Sequence, residues 1–327
     1  MRTIAHLSDL HFGRVDAALL APLTEFLHAA GPDVLVVSGD LTQRAKPEEF
    51  IAARSFLETF SMPKIIVPGN HDVPLYDVFR RFLSPLARYQ RYITTDLEPF
   101  FLDDEIAVLG INSARSLTFK GGRVNGEQLE RLHARLSTLD DKVVKILVTH
   151  HPFDLPAHMS KDHLVGRARE AMKAFANCGV DVLLGGHMHS TEAITTDVRY
   201  KKHGAYSALC IQAGTATSTR QRGEVNSFNL LRVACDRVEV DQIGWVVQEG
   251  VFKKNSTQVF AGTTDGLFNG RRSRRQRQPA IICTGQDLRA FLFEDTLLHQ
   301  PADLVDLHAV ALHAQQVKGV DLTSLPR

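Results

Sequence analysis

Cysteine is scarce in this chain: four in 327 residues, Cys178, Cys210, Cys235 and Cys283, with no Cys-x-x-Cys spacing. That spacing argues against a disulfide framework and a thiolate metal site, and reads as buried small hydrophobes in a reducing compartment. An excess of one charge is lacking too. Lys and Arg number 38 against 37 Asp and Glu, a net +1, so no global field calls for nucleic acid or a membrane surface. No apolar run approaches the roughly 18 residues of a membrane span. No apolar stretch follows Met1-Arg2-Thr3, so the expectation is a cytoplasmic protein without a signal peptide or membrane partner. Internal repeats are absent as well.

What is present is an ordinary globular composition, 44% hydrophobic and 23% charged, able to bury a sizeable core. Apolar runs and helical periodicities alternate over the first 190 residues. Strands are expected at Arg2 to Leu7, Asp33 to Ser38, Lys64 to Val67, Pro99 to Leu102, Ile106 to Asn112, Val143 to Val148 and Val180 to Leu184. Helices are expected at Ala17 to Ala30, Pro47 to Phe60, Tyr76 to Tyr92, from Asn125 to about Thr138, and Arg167 to Ala176. This predicts α/β layering with a largely parallel sheet. From Thr191 to Val259 further strands separated by turns read as a second, antiparallel sheet. The domain is expected to close near residue 262. Residues 263–327 then form an extension: a linker, a basic cluster (Arg271, Arg272, Arg274, Arg275, Arg277) that reads as solvated charge, and two helical stretches.

Five of the apolar strands end in small polar clusters: Asp9-x-His11, Gly39-Asp40, Gly69-Asn70-His71-Asp72, His150-His151-Pro152 and Gly186-His187-Met188-His189. Singly, each is ordinary turn chemistry. Together they are carboxylates, imidazoles and an amide at the carboxyl ends of strands, where open α/β sheets build ligand sites. Such oxygen and nitrogen donors suit hard or borderline divalent ions: Mn²⁺, Fe²⁺ or Zn²⁺, with Co²⁺ or Ni²⁺ as further options.

In that order the clusters resemble the calcineurin-like metallophosphoesterases, over roughly Ile4 to His189. The resemblance implies a four-layer α/β/β/α sandwich, with a C-terminal extension, around two metal ions. Asp9, His11 and His189 would hold one ion, Asn70, His150 and His187 the other, and Asp40 both. His71 would face the substrate phosphate, with Asp72 orienting it. His151 would line the substrate side. The implied reaction is in-line attack on phosphorus by a hydroxide held at the metals.

The compact Ser8-Asp9-Leu10-His11-Phe12-Gly13 start and the His-His-Pro cluster are similar to bacterial class III cyclic-nucleotide phosphodiesterases. A small phosphodiester substrate such as cAMP, a 2′,3′-cyclic nucleotide or a glycerophosphodiester is the first expectation. A nuclease or monoesterase of the same family is the alternative, and a silent scaffold a weaker one. Loop residues Arg14, Arg115, Lys120, Arg123 and His158 are within reach of the pocket on this reading. The stretch Phe153 to Leu164, which also carries Lys161 and His163, is expected to be a flexible specificity loop. A homodimer follows from the resemblance alone.

Overall fold

The computed structural model describes residues 1–116, 121–156, 159–196, 206–219 and 224–262. Lys120, His158, the Arg271 to Arg277 cluster and the two C-terminal helical stretches lie outside the described residues.

In chain order the elements are β1 (Arg2–Leu7), α1 (Ala17–Ala30), β2 (Val34–Ser38), α2 (Pro47–Glu58), β3 (Lys64–Val67), α3 (Val78–Leu83) and α4 (Ala87–Tyr92). There follow β4 (Phe100–Leu102), β5 (Ile106–Gly110), α5 (Gly126–Leu136), β6 (Val144–Val148), α6 (Ala168–Cys178) and β7 (Val182–Gly185). The last are β8 (Glu192–Thr195), β9 (Leu209–Gln212), β10 (Ser227–Ala234), β11 (Arg237–Val246) and β12 (Val251–Ala261). They form two six-stranded sheets, β12-β11-β10-β1-β2-β3 and β4-β5-β6-β7-β9-β8.

Alternation within one strand explains the layering. In β2, Val34 and Val36 enter one apolar cluster while Leu35 and Val37 enter another, because successive side chains leave opposite faces of a strand. The first cluster joins the two sheets: Ile4, Val36 and Val67 meet Val108, Ile146 and Leu184. The second lies between the first sheet and its helices, and includes Leu19, Leu23 and Leu27 of α1. A third, with Leu132, Leu136, Met172 and Phe175, covers the outer face of the second sheet. Three apolar interfaces give four layers, the α/β/β/α sandwich. Leu23 is fully buried, and truncating it to Ala would cost about 3 kcal/mol.

Helix ends follow local chemistry. Asp16 caps α1 through Ala18 N, and Gly31 ends it in the left-handed region at φ 53°. Asn125 and Gln128 form a reciprocal capping box on α5.

Three expectations are corrected. The first 190 residues do not share one sheet: β1 to β3 lie in one and β4 to β7 in the other. Nor do the later strands form an antiparallel sheet of their own. β10 to β12 continue the first sheet from β1, because buried β1 needs hydrogen-bond partners on both edges. β9 pairs parallel with β7, and β8 antiparallel with β9. Finally, the helix expected from Tyr76 to Tyr92 breaks into α3 and α4 at Ser84, which precedes Pro85 and leaves the helical region at φ −153°, ψ 63°.

Candidate metal centre

The carboxyl ends of β1, β2, β3, β6 and β7 bring the five polar clusters to one side of the sandwich. The turns that do so are strained. Among the described residues seven non-glycine residues have positive φ, and five are Asp9, His11, Asp40, His187 and His189. The left-handed region costs an ordinary residue about 1 kcal/mol or more, so strain collects where the donors are. Glycines let the loops close in. A Cβ on Gly186 would stand 1.8 Å from Ser8 Oγ, and one on Gly69 2.1 Å from Asp40 Oδ1.

Backbone hydrogen bonds tie the loops together. Asp9 N donates to Gly39 O and His11 N to Asp40 O within the first sheet. Gly186 N donates to His150 O in the second. His187 N donates to Asp9 Oδ2 at 3.0 Å and joins the two.

The donor atoms then fall into a pattern. Asp9 Oδ2 accepts from Ser8 Oγ at 2.6 Å, leaving Oδ1 3.5 Å from His11 Nε2 and 3.5 Å from His189 Nε2. Asp40 Oδ2 lies 3.7 Å from His11 Nε2, and its Oδ1 lies 3.4 Å from His150 Nε2. Asn70 Oδ1 stands 3.1 Å from His150 Nε2 and 3.1 Å from His187 Nδ1. All seven residues expected as ligands are therefore gathered. They form two groups joined through Asp40.

The opposite nitrogens fix the imidazoles. Nδ1 of His11, His150 and His71 faces the carbonyls of Thr42 (3.4 Å), Ser38 (2.8 Å) and Gln43 (2.9 Å). A carbonyl only accepts, so each Nδ1 carries a proton, and Nε2 of His11 and His150 is the atom each ring turns to the centre. His189 Nδ1 meets Thr215 Oγ1 at 2.6 Å. This is how metal-binding imidazoles are held. Ser38, Gln43 and Thr215 cannot be read from sequence in these roles, because two act through backbone carbonyls and Thr215 is remote in the chain.

Electrostatics agree. Burial alone would raise the Asp9 and Asp40 carboxyls. For Asp9 the imidazoles of His189, His11 and His150 outweigh it, and for Asp40 those of His150, His71 and His11, so both lie below the usual carboxylate range. Burial would depress His150, but Asp40 beside it lifts it to about 9. Burial, aided by His150, pushes His187 down to about 3. Two ionised carboxylates thus sit in a dry pocket.

The donor set fits divalent ions. Asp9 Oδ1 and His11 Nε2 are buried without a hydrogen-bond partner, which is costly unless something else binds them. Two donors sharing an ion at about 2.1 Å lie roughly 3–3.6 Å apart, close to the 3.4–3.7 Å observed across the Asp–His pairs. The carboxylate, imidazole and amide donors include no thiolate.

The remaining expected residues are placed as follows. His71 is half-buried, its ring edge-on to His11 with centroids 4.9 Å apart, within the reach of His11 and Asp40. Asp72 does not touch the His71 ring. Its carboxylate accepts from Leu41 N, Thr42 N, Thr42 Oγ1 and Gly69 N. Thr42 links it to His71, since Thr42 Oγ1 lies 3.2 Å from His71 O and 2.9 Å from Asp72 Oδ1, and Gln43 O accepts from the ring. His151 lies beside His187, ring centroids 4.8 Å apart, with Nδ1 2.9 Å from Ser113 Oγ. The Arg115 guanidinium is spent on Asn112 O, Ala114 O and Gln128. Arg14 and Arg123 are exposed. Of the stretch from Phe153, Phe153 and Leu155 are buried and Lys161–His163 forms a 3-10 turn among the described residues. That turn brings the His163 ring to 6.4 Å from His187.

Comparison with known proteins agrees with this geometry. A family model described as calcineurin-like phosphoesterase matches residues 2–191, more than half the chain. A glycerophosphodiester phosphodiesterase, GpdQ, of Enterobacter lignolyticus is 30% identical over 163 residues, 46% of this chain and 58% of that protein. This chain's match therefore spans little more than half of that relative. A cAMP/cGMP dual-specificity phosphodiesterase of Mycobacterium tuberculosis is 27% identical over 309 residues, 88% of this chain and 94% of that one. The structure of a purple acid phosphatase from yellow lupin superposes with a TM-score of 0.60 at 12% identity, covering 80% of this chain and 53% of that one. That likeness bears on the fold alone. The chain belongs to the calcineurin-like phosphoesterase family.

Proposed function

We propose that this chain is a two-metal phosphodiesterase that hydrolyses small phosphodiesters, 3′,5′-cyclic nucleotides such as cAMP among them. The observation that carries the reading is Asp40, with one carboxylate oxygen toward His11 and the other toward His150. Asp9, His11 and His189 would hold one ion, Asn70, His150 and His187 the second, and Asp40 would serve both. Mn²⁺, Fe²⁺ or Zn²⁺ suits these donors, with Co²⁺ or Ni²⁺ as further options. When bound, two such ions make water acidic enough to be a nucleophile near neutral pH and neutralise charge on a phosphoryl group.

The chain's own groups do the rest. The proton on His71 Nδ1 is held by Gln43 O, so Nε2 is the atom that meets the substrate. In its protonated form it donates to a phosphoryl oxygen or to the departing alkoxide. Asp72 fixes the two loops that carry His71 and Asp40. His151, braced by Ser113, borders the substrate beside His187. Asn70 is shared between the second ion and the substrate side.

Relatives named as phosphodiesterases favour a diester over a monoester. Monoesterase and nuclease activity on the same centre are the alternatives. The reading carries with it a cytoplasmic location, a domain over residues 1–262 with an extension over 263–327, and a homodimer. Among the described residues no helix is long and apolar enough to cross a membrane.

The test is hydrolysis by metal-stripped protein reloaded with Mn²⁺, comparing bis(p-nitrophenyl) phosphate with p-nitrophenyl phosphate. Faster turnover of the diester supports the proposal. A preference for the monoester moves the assignment to a phosphatase.

A further inference from the structure

The richest unexplained surface lies directly beyond His71. Tyr76, the fourth residue after Asp72, is 77% exposed, and Val78, Phe79, Phe82 and Leu83 behind it are also more than half exposed. Contiguous exposed apolar side chains are uncommon on a soluble domain unless they bind something. This surface is joined to the phosphate side of the site. Gln43, whose carbonyl holds the His71 ring, is followed by Arg44, and the Arg44 guanidinium lies over the Tyr76 ring at 5.4 Å from its centroid.

Arg44 is half-buried, and among the described residues no carboxylate pairs with its side chain. Its backbone N–H, by contrast, is held by Glu49 Oε2 at 2.7 Å, so the residue is anchored while its charge stays available. A purely apolar partner has no use for an unpaired guanidinium at the edge of its contact. A nucleobase does. Its flat face stacks on an aromatic ring, and its carbonyl and ring-nitrogen acceptors take hydrogen bonds from guanidinium N–H groups.

We propose that Arg44 and Tyr76 form a base-binding ledge that selects diesters carrying a planar nucleobase over those whose alcohols are aliphatic. The inference rests on the phosphodiesterase reading and names the substrate class of that same site. The base stacks on the exposed part of the Tyr76 ring with its acceptor edge turned toward the Arg44 N–H groups. The ribose spans from there to the phosphate at His71. The Arg44 charge beside the ring repels the ammonium of choline or ethanolamine, and glycerol has no flat face to stack.

The experiment uses the full-length, Mn²⁺-loaded protein. It measures kcat and KM for 3′,5′-cyclic AMP and for glycerophosphoethanolamine in wild type, Tyr76→Leu, Tyr76→Phe and Arg44→Ala, with calorimetric titration of AMP as a readout independent of turnover. Tyr76 is exposed enough that none of its variants threatens folding. The expected result is a wild-type preference for the cyclic nucleotide. Tyr76→Leu should lose about fivefold to a hundredfold in the ratio of the two kcat/KM values through KM, and should weaken AMP binding to match. Tyr76→Phe should retain the ratio, and Arg44→Ala should lower it. A Tyr76→Leu ratio and AMP affinity within twofold of wild type overturn the ledge. So does a wild type that cleaves only the glycerophosphodiester, and both results leave the phosphodiesterase reading standing. Turnover of neither diester overturns that reading and the ledge with it.

Discussion

Oδ1 of Asp9 and Nε2 of His11 face each other at 3.5 Å, both buried, and neither has a hydrogen-bond partner. A carboxylate and an imidazole lone pair have no reason to meet in a dry pocket unless a cation joins them. Close carboxylate–imidazole approaches recur between Asp9 and His189 at 3.5 Å and between Asp40 and His150 at 3.4 Å.

Uptake of metal is expected to release protons. In the metal-free protein Asp40 lifts His150 to about 9 despite its burial, so at pH 7.5 His150 holds a proton that a coordinating imidazole must lose. Calorimetry with Mn²⁺ in buffers of different ionisation enthalpy should find at least one proton released per chain. Affinity should rise about tenfold per pH unit between pH 7 and 9. Uptake without proton release would contradict the electrostatic picture.

Gly69→Ala should disable the centre without straining the backbone. Gly69 has an ordinary φ of −103°, but its Cβ would lie 2.1 Å from Asp40 Oδ1 and 2.4 Å from Asp40 N. Displacing a reacting group by about 1 Å costs around a hundredfold in rate, and kcat should fall by at least that much, with lower metal content. Gly121→Ala, whose Cβ would meet nothing within 4 Å, is the control. Equal activity in the two variants would show that Asp40 tolerates displacement.

Much of this centre is legible in the sequence, and some of it is not. Asp9, His11, Asp40, Asn70, His150, His187 and His189 can be read because each follows an apolar strand, and parallel strands in sandwiched sheets deliver their carboxyl ends to one side. Sheet membership is not legible. β10 reads as antiparallel whether it starts a new sheet or closes the free edge of β1, and only packing decides. The carbonyls of Ser38 and Gln43 are equally hidden, since any residue supplies one. Asp72 misleads for the opposite reason. Its position beside His71 suggests a contact with the ring, whereas its four hydrogen bonds go to the neighbouring loops.

Asp72→Asn should therefore cost stability first. The carboxylate accepts three backbone N–H groups and one hydroxyl, and an amide nitrogen would confront donors with a donor. A loss of about 3 kcal/mol is expected in urea unfolding, with a drop in kcat as the loops loosen. An unchanged unfolding midpoint would refute this role.

Acid should destabilise the fold through His6. Burial pushes this imidazole down to about 3, against the pull of Asp9. The unfolded chain protonates it near 6.5, so the folded state binds fewer protons and loses stability as pH falls from about 6.5 toward 3. His6 contributes up to about 1.4 kcal/mol per pH unit in that window. Metal-free His6→Gln should show a flatter acid limb between pH 6 and 4 by that amount. An identical slope would mean that another group governs acid unfolding.

The most direct measurement of the central claim is the number of divalent ions bound per chain, by elemental analysis of Mn²⁺-reconstituted protein and of Asp40→Ala, with diester hydrolysis followed on the same samples. The account predicts two ions per wild-type chain, activity that appears with the second, and fewer than two ions with no activity in Asp40→Ala. A single ion in an active wild type, or two ions and full activity without Asp40, would contradict it.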